Sequence, residues 1–230
     1  MIKMNEEINY MNNQFLDYWF TISPPTDKCS RYFIATKFKV LDWLLPSGDG
    51  WRNSLDIGCS DGLIVELMDA KGYNGYGVDI IDNQYTIADA RNLPFSDGQF
   101  DVITILDTLE HIDGSKNVAL DEAWRVLRPG GLLLVTVPNS FSYFYKRSWL
   151  TFLLRGLNLW NTRHYNRNYW DWKRMLSRHF EVERVIPLIT MPFKEPKLSS
   201  IENIHLPKSD RFAFMSACPM FVCRKSRRGK

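Results

Sequence analysis

Two short runs limit what this chain can become. Asp101–Leu106 (DVITIL) and Leu132–Val137 (LLLVTV) are almost continuously apolar rather than alternating. Strands of that kind are buried on both faces, as in a parallel sheet covered by helices. A helical pattern, Lys116–Leu127, lies between them, with Val118, Ala119, Ala123, Val126 and Leu127 on one side. Arg128-Pro129-Gly130-Gly131 is expected to end it. Upstream, Asn53–Ile57 reads as a strand, residues from Gly62 to about Ala70 as a helix, and Tyr76–Asp79 as a second strand. The alternation of strand and helix predicts an α/β fold with a mostly parallel sheet. Downstream, Asn168–His179 reads as a helix, and Glu181–Ile189 and Ala217–Arg224 as strands. These last two have no helix pattern between them, so they are expected to form an antiparallel pair at the sheet edge.

At 230 residues the chain is long enough for one large domain or two small ones. Residues 1–27 are polar, contain the cluster Phe15, Tyr18, Trp19 and Phe20, and end at Ser23-Pro24-Pro25, so they are expected to be an appendage. A helix is predicted over 31–45, and residues 28–230 are expected to be a single domain. The formal charge is +3, but five positive charges lie in the last seven residues, which leaves −2 for the rest. The basicity therefore belongs to a tail, 224–230, and the acidic body argues against a large nucleic-acid interface. Cys29, Cys59, Cys218 and Cys223 fit no metal-binding spacing, so reduced thiols and a cytoplasmic location are expected, with no metal evident. With Glu6 and Glu7 near the start no secretory leader is expected, and with no run of 18 apolar residues no spanning helix is expected.

The chemistry is carried by Leu55-Asp56-Ile57-Gly58-Cys59-Ser60-Asp61-Gly62. A strand enters a tight turn with glycine at both ends and leaves in a helix, whose first N–H groups are free for a ligand. A dinucleotide site would need a middle glycine so that a pyrophosphate can rest on the helix. That glycine is absent, and Asp56 sits where a pyrophosphate would be repelled. A ligand bearing an ammonium and a sulfonium suits it better. Asp79 ends the second strand 21 residues after Gly58, where a carboxylate can accept from both ribose hydroxyls.

Four blocks in order, LDIGCSDG (55–62), YGVDI (76–80), ADARNLPFSDGQFDVITILDTLEHI (88–112) and EAWRVLRPGGLLLVTVPN (122–139), resemble class I S-adenosylmethionine-dependent methyltransferases. The similarity is to the quinone-biosynthesis-type small-molecule subgroup. It implies a Rossmann-like three-layer sandwich and S-adenosylmethionine as cofactor, with S-adenosylhomocysteine as product. By the resemblance, Asp56 and Gly58 lie at the methionine end, and Cys59, Ser60, Gly62 and Ile80 are further cofactor-binding residues. Asp79 holds the ribose, Asp89 receives the adenine amino group, and the Ala90 backbone faces the ring. Leu106 and Asp107 wall the methionyl moiety. One departure is visible: only nine residues separate Asp79 from Asp89, too few for the helix and strand usual there, so the crossover helix is expected to be lost or reduced to a turn.

His111 is a candidate general base near the donor site, and His164 a weaker one; His179 and His205 are expected to be surface or packing residues. Residues 141–165, rich in aromatic and basic side chains, stand where the family places its substrate cover. Phe141, Tyr143, Trp149 and Phe152 are the candidate acceptor residues, with Lys146, Arg147 and Arg155 available for an anionic group. The implied reaction is methyl transfer to a small apolar, lipid-linked or glycan-linked acceptor, with peripheral membrane contact as a further expectation. A non-catalytic cofactor-binding protein and an RNA methyltransferase using the basic tail are the alternatives. No Asn-Pro-Pro-Tyr stretch appears, which argues against amino methylation of DNA bases.

Overall fold

The computed structural model describes residues 28–45, 52–140, 167–188, 213–216 and 218–226. The chain divides into two compact units, Met1–Leu45 with Glu195–Leu206, and Pro46–Lys194 with Pro207–Lys230. The helix predicted over 31–45 is present as α1 (Lys28–Leu44) and falls in the first unit rather than with the sheet.

The second unit holds β1 (Asn53–Ile57), α2 (Leu63–Ala70), β2 (Asn74–Asp79), β3 (Thr86–Ile87), β4 (Phe100–Leu106) and α3 (Lys116–Val126). It continues with β5 (Leu127–Thr136), α4 (Tyr169–Leu176), β6 (Glu181–Pro187) and β7 (Pro219–Arg224). The seven strands form one sheet in the order β3-β2-β1-β4-β5-β7-β6. β1 to β5 are parallel, and β7 runs antiparallel between β5 and β6. The Rossmann-like α/β architecture and the antiparallel edge pair therefore agree with the sequence. The connection β1-α2-β2 moves one way along the sheet and β4-α3-β5 the other. Parallel crossovers are right-handed, so α2 and α3 cover opposite faces. The order reverses between β1 and β4, and that crevice is where open α/β sheets bind ligands.

The central strands are buried as their composition demands. Ile103, Ile105, Leu133 and Val135 of the continuous runs join Phe221 and Trp172 in one core. α4 starts where it does because Asn168 caps it: its Oδ1 accepts from the N–H groups of Trp170 at 2.9 Å and Asp171 at 3.0 Å. Asp171 reciprocates to the Asn168 N–H, completing a capping box. The Trp172 indole then reaches the Pro138 carbonyl at 3.0 Å, so the buried ring leaves no donor unmet.

Two sequence expectations are corrected. Arg128–Gly131 does not separate helix from strand: β5 begins at Leu127, directly after α3. Between the pairs Phe100↔Leu127 and Val102↔Leu132, β4 advances two residues while β5 advances five, so 128–131 bulge out of the pairing. The basic tail also starts later than residue 224. Arg224 is part of β7 and pairs with Glu183. Lys225 is only 6% exposed. A third expectation holds: no helix occupies 80–85, and the chain runs from β2 to β3 through bends alone.

Residues 93–97 are pinned to α3 by Arg125. Its guanidinium donates to both oxygens of Glu122 at 2.8 Å, to the carbonyls of Leu93 and Phe95 at 3.0 and 2.7 Å, and to Asp97 at 2.9 Å. Glu122 also accepts from the Leu93 N–H at 2.8 Å. Arg125 holds the Glu122 carboxyl below its ordinary range. A carboxyl whose folded value is depressed contributes stability that is complete above its unfolded pKa, near 4.5, and is lost as pH falls through the folded value. The melting temperature should therefore fall as pH is lowered below about 4.5, less steeply in Glu122→Gln. Parallel curves for the two proteins in a thermal-shift pH series would show that this carboxyl is not a contributor.

Candidate functional site

Three strand ends meet at the crevice. Asp56, the penultimate residue of β1, is buried and registers opposite Thr104 of β4. The Thr104 hydroxyl donates to Asp56 Oδ1 at 2.6 Å, which fixes the carboxylate within the crevice. A buried carboxylate needs such donors to remain tolerable.

The turn after β1 takes a positive φ at three alternate positions: +80° at Gly58, +45° at Ser60 and +86° at Gly62. Gly58 is required twice over. A Cβ there would also stand 2.2 Å from Thr108 Oγ1, so the turns after β1 and β4 touch with no room for a side chain. The amides of Gly58 and Cys59 both donate to the Val78 carbonyl, at 2.8 and 3.1 Å, tying the turn to β2.

Asp79 closes the turn from the other side. Its Oδ2 accepts from the Ser60 N–H at 2.9 Å and its Oδ1 from the Ile80 and Ile81 N–H groups at 2.7 and 3.3 Å. The carboxylate thus serves as the anion of a concave turn. Ile80 follows it and is 76% exposed. Asp79→Ala should weaken S-adenosylhomocysteine binding by about 1.5–3 kcal/mol, since hydroxyl bonds to a charged acceptor are worth that much. Calorimetry on the folded variant checks this, and an unchanged affinity would remove Asp79 from the site.

The truncated crossover braces the same turn. Asn83 Nδ2 donates to the Ser60 carbonyl at 2.9 Å. Tyr85 packs its ring against Gly62 and Gly77, where an added Cβ would meet it at 2.0 and 3.0 Å. The Cys59 side chain points beneath the turn, toward Gly77 and Asn83. Burial and the carboxylates of Asp56 and Asp79 push its thiol up to about 12, so it is neutral at ordinary pH.

On the far wall, Leu106 ends β4 and Asp107 follows in a left-handed conformation, φ +51°. Thr136 of β5 holds it: its Oγ1 accepts from the Asp107 N–H at 3.0 Å and donates to Asp107 Oδ1 at 2.7 Å. Strained residues with this much support belong where a ligand must meet a fixed surface. The 3₁₀ turn Leu109–His111 comes next, with the His111 ring exposed beside Glu110. Asp89 and Ala90 lie in the loop after β3. His179 is a packing residue, with Nδ1 3.0 Å from Asp121. His164, His205, Phe141, Tyr143, Trp149 and Phe152 lie outside the described residues, as do 1–27 and 227–230.

The structure thus gathers Asp56, the Gly58–Gly62 turn, Asp79, Leu106 and Asp107 at adjoining strand ends. The sequence did not single out Thr104, Thr108, Thr136, Asn83, Tyr85 or Arg91, whose parts are played through contacts across the chain. The donor set fits S-adenosylmethionine: a buried acid at the switch point for an ammonium, a second acid at the end of β2 for hydroxyls, and a turn that admits no Cβ. Among the described residues no group of three or more His, Cys, Asp and Glu is placed to hold a metal ion.

Comparison with known proteins supplies the family. The family described as "Methyltransferase domain" matches residues 28–184. The chain belongs to this family. Its class is that of the S-adenosylmethionine-dependent class I methyltransferases. It is 26% identical over 129 residues to the ubiquinone biosynthesis O-methyltransferase of Erwinia tasmaniensis, covering 48% of this chain and 51% of that protein. It is 29% identical over 130 residues to the Pseudomonas aeruginosa protein of that name, covering 45% and 56%. The chain thus matches about half the length of these relatives. A methyltransferase structure from Methanosarcina mazei shares the fold, with a TM-score of 0.56 and 17% identity over 82% of this chain and 98% of that one.

Proposed function

We propose that this methyltransferase domain methylates a small, largely apolar or lipid-linked acceptor at the carboxyl edge of the sheet, above β4 and β5. The observation that carries this reading is where the aromatic segment is tethered. Ser140 and Arg167, which flank it, are bonded to each other (N–H to carbonyl, 3.1 Å) just past the end of β5. That is the same edge as Asp56, Asp79 and Asp107. A segment holding Phe141, Tyr143, Trp149 and Phe152 brings more aromatic surface than a helix cover needs, at about 150–250 Å² per enclosed ring.

S-adenosylmethionine, when bound, supplies an electrophilic methyl group on sulfur. The residues of the chain position and shield. Asp56 takes the ammonium end, and Asp79 accepts from the ribose. Asp107, locked by Thr136, presents an unyielding wall beside the reacting centre, where alignment and exclusion of water lower the barrier. His111, exposed at the start of the next turn, takes the proton released by the acceptor. The names of the Erwinia and Pseudomonas relatives specify O-methyl transfer in ubiquinone biosynthesis, which favours a hydroxyl oxygen as the attacking atom. An RNA acceptor is disfavoured because Arg224 and Lys225, two of the five terminal charges, are engaged within the fold.

The test begins with a cofactor-turnover assay over pooled lipid and small-molecule extracts to find the acceptor. Trp149→Ala and Phe152→Ala should then leave melting temperature and S-adenosylhomocysteine affinity in place and lower turnover at least tenfold, about the loss expected when a large apolar contact is removed. Full turnover in both variants would overturn the reading.

A further inference from the structure

Arg91 encloses the Asp89 carboxylate. Its own N–H donates to Oδ1 at 2.8 Å. Its Nε lies between the two oxygens, 2.9 Å from Oδ1 and 3.1 Å from Oδ2, and Nη2 donates to Oδ2 at 2.6 Å. The remaining Nη1 crosses to the Asp113 carbonyl at 3.2 Å, in the loop after the 3₁₀ turn. One side chain therefore ties the loop after β3 to the loop after β4, the two segments that border the cleft on that side.

Packing does not explain this arrangement. Both side chains are more than two-fifths exposed. Exposed ion pairs add little to stability. The geometry instead fixes how the carboxylate can be used. An ionised carboxylate has about four lone-pair sites. Three N–H groups of Arg91, with Nε–H shared between the two oxygens, take up three of them, and no other described residue is seen to donate to the Asp89 carboxylate. One acceptor site is left, on a carboxylate whose pKa Arg91 also lowers, which favours the ionised form.

We propose that Arg91 is a specificity-determining positioning residue: by occupying all but one of the lone pairs of Asp89, it makes this carboxylate a single fixed acceptor that selects a 6-amino purine over a 6-oxo purine. The proposal rests on the reading of Asp89 as the acceptor for the adenine amino group. A 6-oxo purine would set oxygen against oxygen there. A carboxylate released from Arg91 can rotate away and avoid the repulsion, so discrimination should suffer more than affinity.

The experiment measures binding of S-adenosylhomocysteine and its 6-oxo counterpart, S-inosylhomocysteine, by calorimetry. The proteins are the wild type, Arg91→Ala, Arg91→Lys and Asp89→Ala, each checked for folding by melting temperature. The wild type should prefer the amino compound by about 10- to 100-fold, the range for one bond to a charged acceptor. Arg91→Ala should reduce that ratio several-fold, with a smaller loss of affinity for the amino compound. Arg91→Lys should restore the ratio only in part, because an ammonium lacks the planar fork. An unchanged ratio in Arg91→Ala, or an equal weakening of both compounds, would overturn the proposal. If Asp89→Ala keeps the wild-type ratio, the assignment of Asp89 itself fails, and that result is distinguishable from failure at Arg91 alone.

Discussion

Gly58→Ala should abolish measurable binding of S-adenosylhomocysteine and destabilise the domain by about 2–5 kcal/mol. Two costs combine. The first is conformational: φ is +80° at this position, and an L-residue with a Cβ pays about 1–2 kcal/mol to adopt it. The second is steric: the new carbon would stand 2.2 Å from Thr108 Oγ1 and 2.4 Å from Thr108 Cγ2. Thr108 cannot swing aside freely, because it is β-branched and its hydroxyl donates to the Leu106 carbonyl at 3.1 Å. The turns after β1 and β4 must therefore separate, and with them Asp56 and Asp107. Thermal melting and calorimetry of the variant check both parts. The double variant Gly58→Ala/Thr108→Ala tests them: it removes Oγ1 and Cγ2 but leaves Thr108 Cβ 2.8 Å from the new carbon, so it should recover part of the steric share and keep the conformational share. If Gly58→Ala binds the product as tightly as the wild type, the close approach of the two turns has no part in the site.

The sequence reveals the frame of this site but not its supports, and the reason is physical. A strand buried on both faces must be apolar at every position, so DVITIL and LLLVTV announce themselves. A turn that needs φ above zero at its ends asks for glycine, so Gly58 and Gly62 do as well. The loss of the crossover helix follows from chain length alone, since nine residues cannot build a helix and a strand. Thr104, Thr136 and Arg91 carry no such mark. Thr104 reaches Asp56 across 48 positions and Thr136 reaches Asp107 across 29, and a threonine in a strand is ordinary until its register is known. Asn83 and Tyr85 stand in a stretch whose composition suggests only a turn. Their bracing of Ser60 and Gly62 depends on how tightly the shortened crossover folds back on the turn after β1. The misplacement of Arg224 and Lys225 in a solvated tail has a related cause. Charge predicts exposure on average, yet it cannot show that a lysine finds two carbonyls and an aromatic face in one place.

That lysine is the second position where a large effect is expected. Lys225 Nζ donates to the Leu127 carbonyl at 2.6 Å and the Trp124 carbonyl at 2.7 Å, and lies 3.8 Å from the centre of the Trp124 ring. Its backbone pairs with the bulge, N–H to the Gly131 carbonyl at 3.0 Å and carbonyl to the Gly130 N–H at 2.9 Å. α3 passes into β5 without a loop, so the last carbonyls of the helix lack the usual capping turn. The ammonium supplies their donors and sits at the negative end of the helix. Methionine has nearly the same length and keeps the apolar stem, so Lys225→Met isolates the loss of the donors. Losing the ammonium's bonds to one buried and one partly buried carbonyl costs about 1–3 kcal/mol each, and a lost cation–π contact adds about 0.5–2, so a loss of at least about 2.5 kcal/mol is expected. Urea unfolding should show a lower midpoint with an unchanged slope, because the surface exposed on unfolding is the same. The product affinity of the folded variant should stay near wild type, since Lys225 is at the amino end of β5 and the site is at the carboxyl end. An unfolding free energy within about 0.5 kcal/mol of wild type, the ordinary range for surface substitutions, would return Lys225 to the solvated tail.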